Sequence, residues 1–261
     1  MRARIGLLGF GRIGSYIYER ARASNEIGIG FVYDPDRGKT KSIDQSLVVD
    51  SEKKAFSMKV DMVVEAADHQ AVRNSGPNVL KLNDLLVLSA TALADEEVYS
   101  RLAKTCEANG TRVYIPHGAL LGMDGLYDAR ETIEEVTVTT TKHPRNIDFS
   151  FTTKFKPENI RDETVLYEGT AREACKMFPR NVNAHAVVAL SGIGFDRTRS
   201  VLVANPHSDD AVQHIIAKGG STVLEIKRSS AIQGVTGDYT LASVYGSIKR
   251  ILNRPYGINI M

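Results

Sequence analysis

The sequence predicts an α/β protein, with a Rossmann-type doubly wound parallel sheet followed by a second α+β domain. Three observations carry this. Gly9-Phe10-Gly11-Arg12-Ile13-Gly14 directly follows an apolar run, Ile5-Gly6-Leu7-Leu8. Strand-like and helix-like segments then alternate as far as Pro116, the pattern of a parallel sheet with right-handed crossovers. After about Ile133 the rhythm changes to Thr/Val alternation, which suits antiparallel pairing.

The elements follow in order. A first strand near Ala3–Leu8 feeds a helix near Arg12–Ser24, and Ile29-Gly30-Phe31-Val32-Tyr33 forms the second strand, ended by Asp34. Leu47-Val48-Val49 is a short strand-like stretch. Val60–Glu65 and Leu85–Ser89 are near-continuous apolar runs, as expected of strands covered on both faces. A helix starts at about His69. Asp95 can cap another whose Val98, Leu102 and Cys106 share a face, and Asn109-Gly110 ends it. Thr111–Ile115 is a strand stopped by Pro116.

In the later half, Glu135–Thr141 alternates as a strand, and Phe149–Phe155 is expected to pair with it. Glu168–Met177 and Val182–Ser191 read as helices. Arg199–Ala204, Val212–Ala217 and Thr222–Lys227 read as strands, with Gly219-Gly220 a hairpin signal between the last two. Asp238 caps a final helix with Leu241, Val244, Ile248, Ile251 and Leu252 on one stripe. The expected organisation is a dinucleotide-binding domain over 1–118, onto which the helix 238–253 packs back, and a substrate, catalytic and dimerisation domain over 119–237.

The glycine pattern is informative because of its position. Where it closes a strand and opens a helix, the first glycine permits the tight turn and the second lets the backbone approach a pyrophosphate. The third allows close helix packing, and the helix N-terminus then points its free N–H groups at the phosphates. An acid about 20 residues on should bind a ribose hydroxyl, and Asp34 stands there. It favours NAD by accepting from the 2′-hydroxyl, while Arg37 could instead grip the 2′-phosphate of NADP. Gly9, Phe10, Gly11, Arg12, Ile13, Gly14, Asp34 and Ala67 are the expected cofactor-binding residues of this domain.

Composition excludes several classes. The chain has 261 residues, 43% hydrophobic and 25% charged, with a formal net charge of +2. That charge supplies no field to draw in nucleic acid, and no apolar stretch approaches the roughly 18 residues of a membrane span. No signal peptide is expected, because the N-terminus runs straight into the first strand. The two cysteines, Cys106 and Cys175, read as buried thiols of a cytoplasmic protein, and no metal site is expected.

Ligands of open parallel sheets bind beyond the carboxyl ends of the strands. Asp34, Ala66-Ala67-Asp68-His69, Ala90-Thr91-Ala92 and Pro116-His117-Gly118-Ala119 fall there. Hydride transfer needs a proton acceptor, and six histidines are available: His69, His117, His143, His185, His207 and His214. His143 and His207 stand beside prolines as turn residues, and His185 sits on a helix face. His69 and His117 lie at strand ends, and His214 lies in a strand of the second domain.

The second half carries a family resemblance. Glu168-Gly169-Thr170-Ala171-Arg172-Glu173-Ala174 followed by Phe178-Pro179-Arg180-Asn181-Val182-Asn183 resembles the signature of the L-aspartate dehydrogenase family. Pro116-His117-Gly118-Ala119, Gly122-Met123-Asp124-Gly125-Leu126, Gly192–Thr198, Val64–Val72 and Asn205-Pro206 with Gln213-His214-Ile215 agree with it. The resemblance implies hydride transfer from the α-carbon of a dicarboxylic amino acid to NAD or NADP, with an imine hydrolysed to oxaloacetate and ammonia. It also implies a homodimer and a link to NAD synthesis through iminoaspartate. His214 matches the family's catalytic histidine, and Ala119 and Asn183 match its cofactor contacts. A neutral imidazole is suited to unprotonated-amine oxidation and to activating water. A dicarboxylate needs cations, and Arg180, Arg197 and Lys142 are unranked candidates.

This chain departs from the family pattern at three positions. Asp68 stands where glycine is common, His117 where serine is, and Gln213 where asparagine often precedes the catalytic histidine. A carboxylate at position 68 would repel a dicarboxylate unless paired, with His117 as one partner. Another amino acid or a related imine is therefore an alternative substrate. Two other readings stand beside the dehydrogenase. One is a different two-domain oxidoreductase, of homoserine dehydrogenase or dihydrodipicolinate reductase type. The other is a catalytically silent nucleotide-sensing protein.

Overall fold

The computed structural model describes residues 2–233 and 236–253. Two compact units divide the chain. One holds the residues up to Ser89, Glu97–Pro116 and those from Leu241 onward; the other holds Ala90–Glu96 and His117–Thr240.

In the first unit the apolar runs become β1 (Ala3–Leu8), β2 (Ile27–Tyr33), β3 (Met62–Glu65), β4 (Asp84–Val87) and β5 (Val113–Tyr114). They form a parallel sheet in the order β2-β1-β3-β4-β5. The helices are α1 (Arg12–Arg22), α2 (Glu52–Ser57), α3 (His69–Val79) and α4 (Glu96–Asn109). Strand order reverses between β1 and β3, where open α/β sheets form their ligand crevice. Leu47-Val48-Val49 contributes a single bridge, Val48 to Val32. The last helix, α8 (Asp238–Leu252), supplies Val244, Tyr245 and Ile248 to the core built on Ile5, Ile17 and Tyr18. Tyr245 Oη also donates to the Arg20 carbonyl at 3.2 Å. In α4, Val98 and Leu102 are buried but Cys106 is only half-buried, because the helix's last turns are exposed.

The second unit contains α5 (Met123–Asp128), β6 (Glu135–Lys142), β7 (Thr164–Thr170), α6 (Ala171–Met177), α7 (Asn183–Ser191), β8 (Thr198–Ala204), β9 (Asp210–Gly219), β10 (Thr222–Gln233) and β11 (Thr236–Gly237). The sheet order is β11-β10-β9-β6-β8-β7. It is mixed rather than antiparallel throughout: β6 runs parallel to β8 and antiparallel to β9. A two-residue turn at Gly220-Ser221, with Gly220 at φ 55°, closes the β9–β10 hairpin.

Two expected elements differ. Phe149–Phe155 is not a strand, because both edges of β6 are already taken by β8 and β9. Its backbone is held instead by turns, with Ser150 N donating to Asp148 Oδ1 at 2.8 Å and Thr152 N to the Phe149 carbonyl at 3.1 Å. Glu168–Thr170 belongs to β7, not to a helix, since Thr170 pairs with Arg199 and then caps α6 by accepting from Glu173 N.

Alternation gives this sheet two chemically distinct faces. Val136, Val138, Thr140 and Lys142 of β6 are buried, and α7 packs over them: His185 is hydrogen-bonded to Thr140 Oγ1 at 2.7 Å and to Ser200 Oγ at 2.6 Å. In β9 the buried set is Ala211, Gln213, Ile215 and Ala217. Val212, His214 and Ile216 point to the other face, in line with Thr137, Thr139 and Thr141 of β6.

Candidate active site

The glycine turn has the shape a dinucleotide needs. Gly9 sits at φ +100°, and a Cβ there would lie 2.6 Å from the Ala66 carbonyl oxygen. A Cβ on Gly14 would meet the Gly9 carbonyl at 2.3 Å, so α1 can approach the strand only with glycine here. Gly11 has no protein atom within 4 Å of its Cβ position, and as N-cap of α1 it provides no side-chain cap. The result is open space beside free helix N–H groups, which fits a pyrophosphate.

Asp34 is tied to this turn. Its Oδ2 accepts from Phe10 N at 2.7 Å and its Oδ1 from Asp36 N at 2.8 Å. Lys39 Nζ lies 3.5 Å from the same carboxylate, a cation that a 2′-phosphate could share. Ile13 packs on the core, and Phe10 stacks edge-on against Tyr18 at 5.5 Å.

At the strand ends, Glu65 is fully buried and was not singled out from the sequence. Its Oε1 accepts from Ala67 N and Ser89 Oγ, both at 2.9 Å, and its Oε2 from Leu88 N at 3.1 Å and Ser89 N at 2.9 Å. Burial pushes its pKa up to about 7 while these four donors pull it back. The carboxylate thereby ties the end of β3 to that of β4, and holds the Ala67 backbone.

Asp68 and His117 are both used locally. Asp68 caps α3, its Oδ1 accepting from Gln70 N and Ala71 N at 2.9 Å each. His117 Nδ1 donates to the Leu120 carbonyl at 2.6 Å, closing the turn that contains Ala119. Capping accounts for an aspartate at position 68.

The second unit gathers several polar groups. Asn183 begins α7, and its Oδ1 accepts from Thr91 N at 3.1 Å and Thr91 Oγ1 at 3.2 Å. Thr91 Oγ1 also donates to the Pro179 carbonyl at 2.9 Å. Asn181 locks the segment after β6, accepting from Asp148 N at 2.9 Å and donating to its carbonyl at 2.7 Å. Arg180 is engaged with Asp148 at 3.2 Å, and exposed Arg197 donates to the Glu134 carbonyl at 3.3 Å.

Lys142 differs from both arginines. It is only 5% exposed and has no hydrogen-bond or ion-pair partner among the described residues. Burial alone lowers its pKa to about 8. His185, on the same face, is pushed down to about 3 by burial and then by Lys142, so it remains a neutral, doubly hydrogen-bonded ring.

Sequence comparisons bear on both halves. The model described as aspartate dehydrogenase, C-terminal, matches residues 124–251, and the NAD binding domain of homoserine dehydrogenase matches residues 9–116. An L-aspartate dehydrogenase of Nitrosopumilus maritimus is 36% identical over 83% of this chain and 83% of its own length. That of Methanosarcina mazei is 33% identical over 96% and 97%.

The chain belongs to the aspartate dehydrogenase family.

Its fold agrees. The aspartate dehydrogenase structure from Thermotoga maritima superposes with a TM-score of 0.74 at 24% identity, over 96% of each chain. Scyllo-inositol dehydrogenase from Lactobacillus casei gives 0.62 at 11% identity, over 96% of this chain and 87% of that one.

The β9 register fixes the placement of His214. Its ring is on the sheet face away from α7, one-third exposed, and hydrogen-bonded through Nε2 to Glu225 Oε1 at 2.8 Å. The residue on the α7 face is its neighbour Gln213, 7% exposed and directly across from Thr140. The Gln213 Oε1 is buried with no hydrogen-bond partner. The β9 register thus places the His214 ring on the opposite face of this sheet from α7, Lys142 and His185.

Proposed function

We propose that this chain is an NAD(P)-dependent L-aspartate dehydrogenase. It would convert L-aspartate, NAD(P)+ and water to oxaloacetate, ammonia, NAD(P)H and a proton through iminoaspartate. The observation that supports this most is family membership across both halves of the chain, combined with an intact dinucleotide cradle.

Bound nicotinamide supplies the hydride acceptor. Gly9, Gly11 and Gly14 leave room for the pyrophosphate, with Phe10, Arg12 and Ile13 completing the turn. Asp34 serves the ribose, and the Glu65 brace sets the Ala67 backbone. In the second unit Ala119, in the His117 turn, and Asn183, steadied by Thr91, are the further cofactor contacts of this reading. NAD is the favoured cofactor through Asp34, with NADP accommodated through Lys39 and Arg37.

A spectrophotometric screen of NAD(P)H formation over a panel of amino acids tests the proposal, with 2-oxo acids plus ammonia in reverse. L-Aspartate and oxaloacetate should dominate. Preference for another substrate pair, or no turnover with any, overturns it.

The same reading includes a cytoplasmic homodimer whose iminoaspartate can feed NAD synthesis. Its two cysteines are unpaired, in keeping with a reducing compartment. The sheet face away from α7 exposes Val165 and Val223, apolar side chains suited to pairing across a two-fold axis. Light scattering should return twice the monomer mass; the monomer mass would remove the dimer.

A further inference from the structure

We propose that Lys142 and Gln213 form the substrate-recognition pair of the second unit. In this pair the Lys142 ammonium receives a carboxylate, and the Gln213 amide oxygen receives the amino group of the amino acid. The inference rests on the amino-acid dehydrogenase reading above and adds the residues that select the substrate.

The two side chains share a face. Gln213 stands across from Thr140 in the β6–β9 register, and Lys142 is two residues further along β6, which makes it a diagonal neighbour. Each is more than nine-tenths buried, and each has an unmet polar need. A buried ammonium without a carboxylate is costly and calls for an anion. A buried amide oxygen without a donor calls for an N–H. An α-amino acid carries both complements on one carbon. The surrounding groups are already committed: Thr140 and Ser200 are bonded to His185. Arg180 and Arg197, the other cations considered, are exposed and engaged elsewhere. His185 from α7 is the titratable group acting with Lys142, and it is neutral above about pH 3. The partner of Lys142 on β8, Ala204, carries no charge, nor does Ala211, the next buried residue of β9 before Gln213.

Succinate has the carboxylates but no amine, so it separates the two contacts. Calorimetric titration of NADH-loaded protein with succinate should show affinity falling about tenfold to a hundredfold in Lys142→Met. The KM for L-aspartate should rise in parallel, and NADH affinity should stay within twofold. Gln213→Leu should raise the KM for L-aspartate about fivefold or more while leaving succinate binding unchanged. Wild-type succinate binding should weaken as pH rises through about 8, where Lys142 loses its proton.

If Lys142→Met binds succinate like the wild type while L-aspartate is still oxidised, the recognition pair is overturned and the enzyme assignment stands. If the wild type oxidises no amino acid yet binds succinate through Lys142, the enzyme assignment fails and the carboxylate site stands.

Discussion

Each unit holds a deeply buried charged side chain, Glu65 in one and Lys142 in the other, and the two are treated in opposite ways. Glu65, in the nucleotide-binding unit, accepts four hydrogen bonds, three of them from backbone N–H groups of Ala67, Leu88 and Ser89. Lys142, in the other unit, has no hydrogen-bond or ion-pair partner among the described residues. A buried charge whose bonds are all supplied by the fold is a brace. A buried charge left unpaired weakens the fold by itself, and an incoming ligand can complete it. The difference separates a residue that shapes a cofactor platform from one positioned to meet a substrate.

The comparison breaks most visibly at Glu65. Glu65→Leu orphans three backbone N–H groups at about 1–3 kcal/mol each, so stability should fall by roughly 3 kcal/mol or more. Chemical denaturation would read this; a loss under about 1 kcal/mol would mean the four bonds do not brace the strand ends.

Lys142→Met should act in the other direction. Its pKa is lowered from 10.5 to about 8, so at pH 7 the charged form weakens the folded state by about 3 kcal/mol. The variant should gain about that much stability while losing aspartate affinity. Between pH 8 and 10.5 the unfolded chain holds a proton on Lys142 that the folded chain has released. Wild-type stability therefore rises with pH there, relative to Lys142→Met, and the gap between the two closes. Glu65 has the reverse sign: with its pKa raised from 4.5 to about 7, it draws stability down as pH rises through that window. Melting curves of the wild type and Lys142→Met across pH 6 to 11 check the lysine half of the comparison.

The smallest stability effect is expected at His214. Its contact with Glu225 is a partly exposed ion pair, worth about 0–1 kcal/mol. His214→Ala should keep stability within that range, so its kcat reads the catalytic role that the family resemblance implies: as the reacting base, the imidazole's loss should lower turnover about a hundredfold while NAD still binds. Turnover within about threefold of the wild type would remove the imidazole from the reacting centre.

Much of the nucleotide half could be read directly. The alternation of apolar runs with amphipathic stripes located β1 to β5 with α1, α3 and α4, though not the short α2, and Asp34 lay where the glycine spacing required it. The second half was less transparent for identifiable reasons. Phe149–Phe155 has strand composition, but β6 had no free edge for it. In β9 both parities are apolar, with Ala211, Ile215 and Ala217 on one and Val212 and Ile216 on the other. The pattern therefore could not tell whether Gln213 or His214 faced α7, and a one-residue difference reverses the face. Asp68 read as a misplaced charge until its backbone partners made it a helix cap.

The sequence by itself determined most of the elements, the phosphate turn and the family, because local periodicity, glycine geometry and motif order are all written along the chain. Only the tertiary structure decided which side chains share a face and which charges are met. Cross-strand register and burial arise from segments far apart in sequence, and they alone single out Lys142 from three equivalent-looking cations.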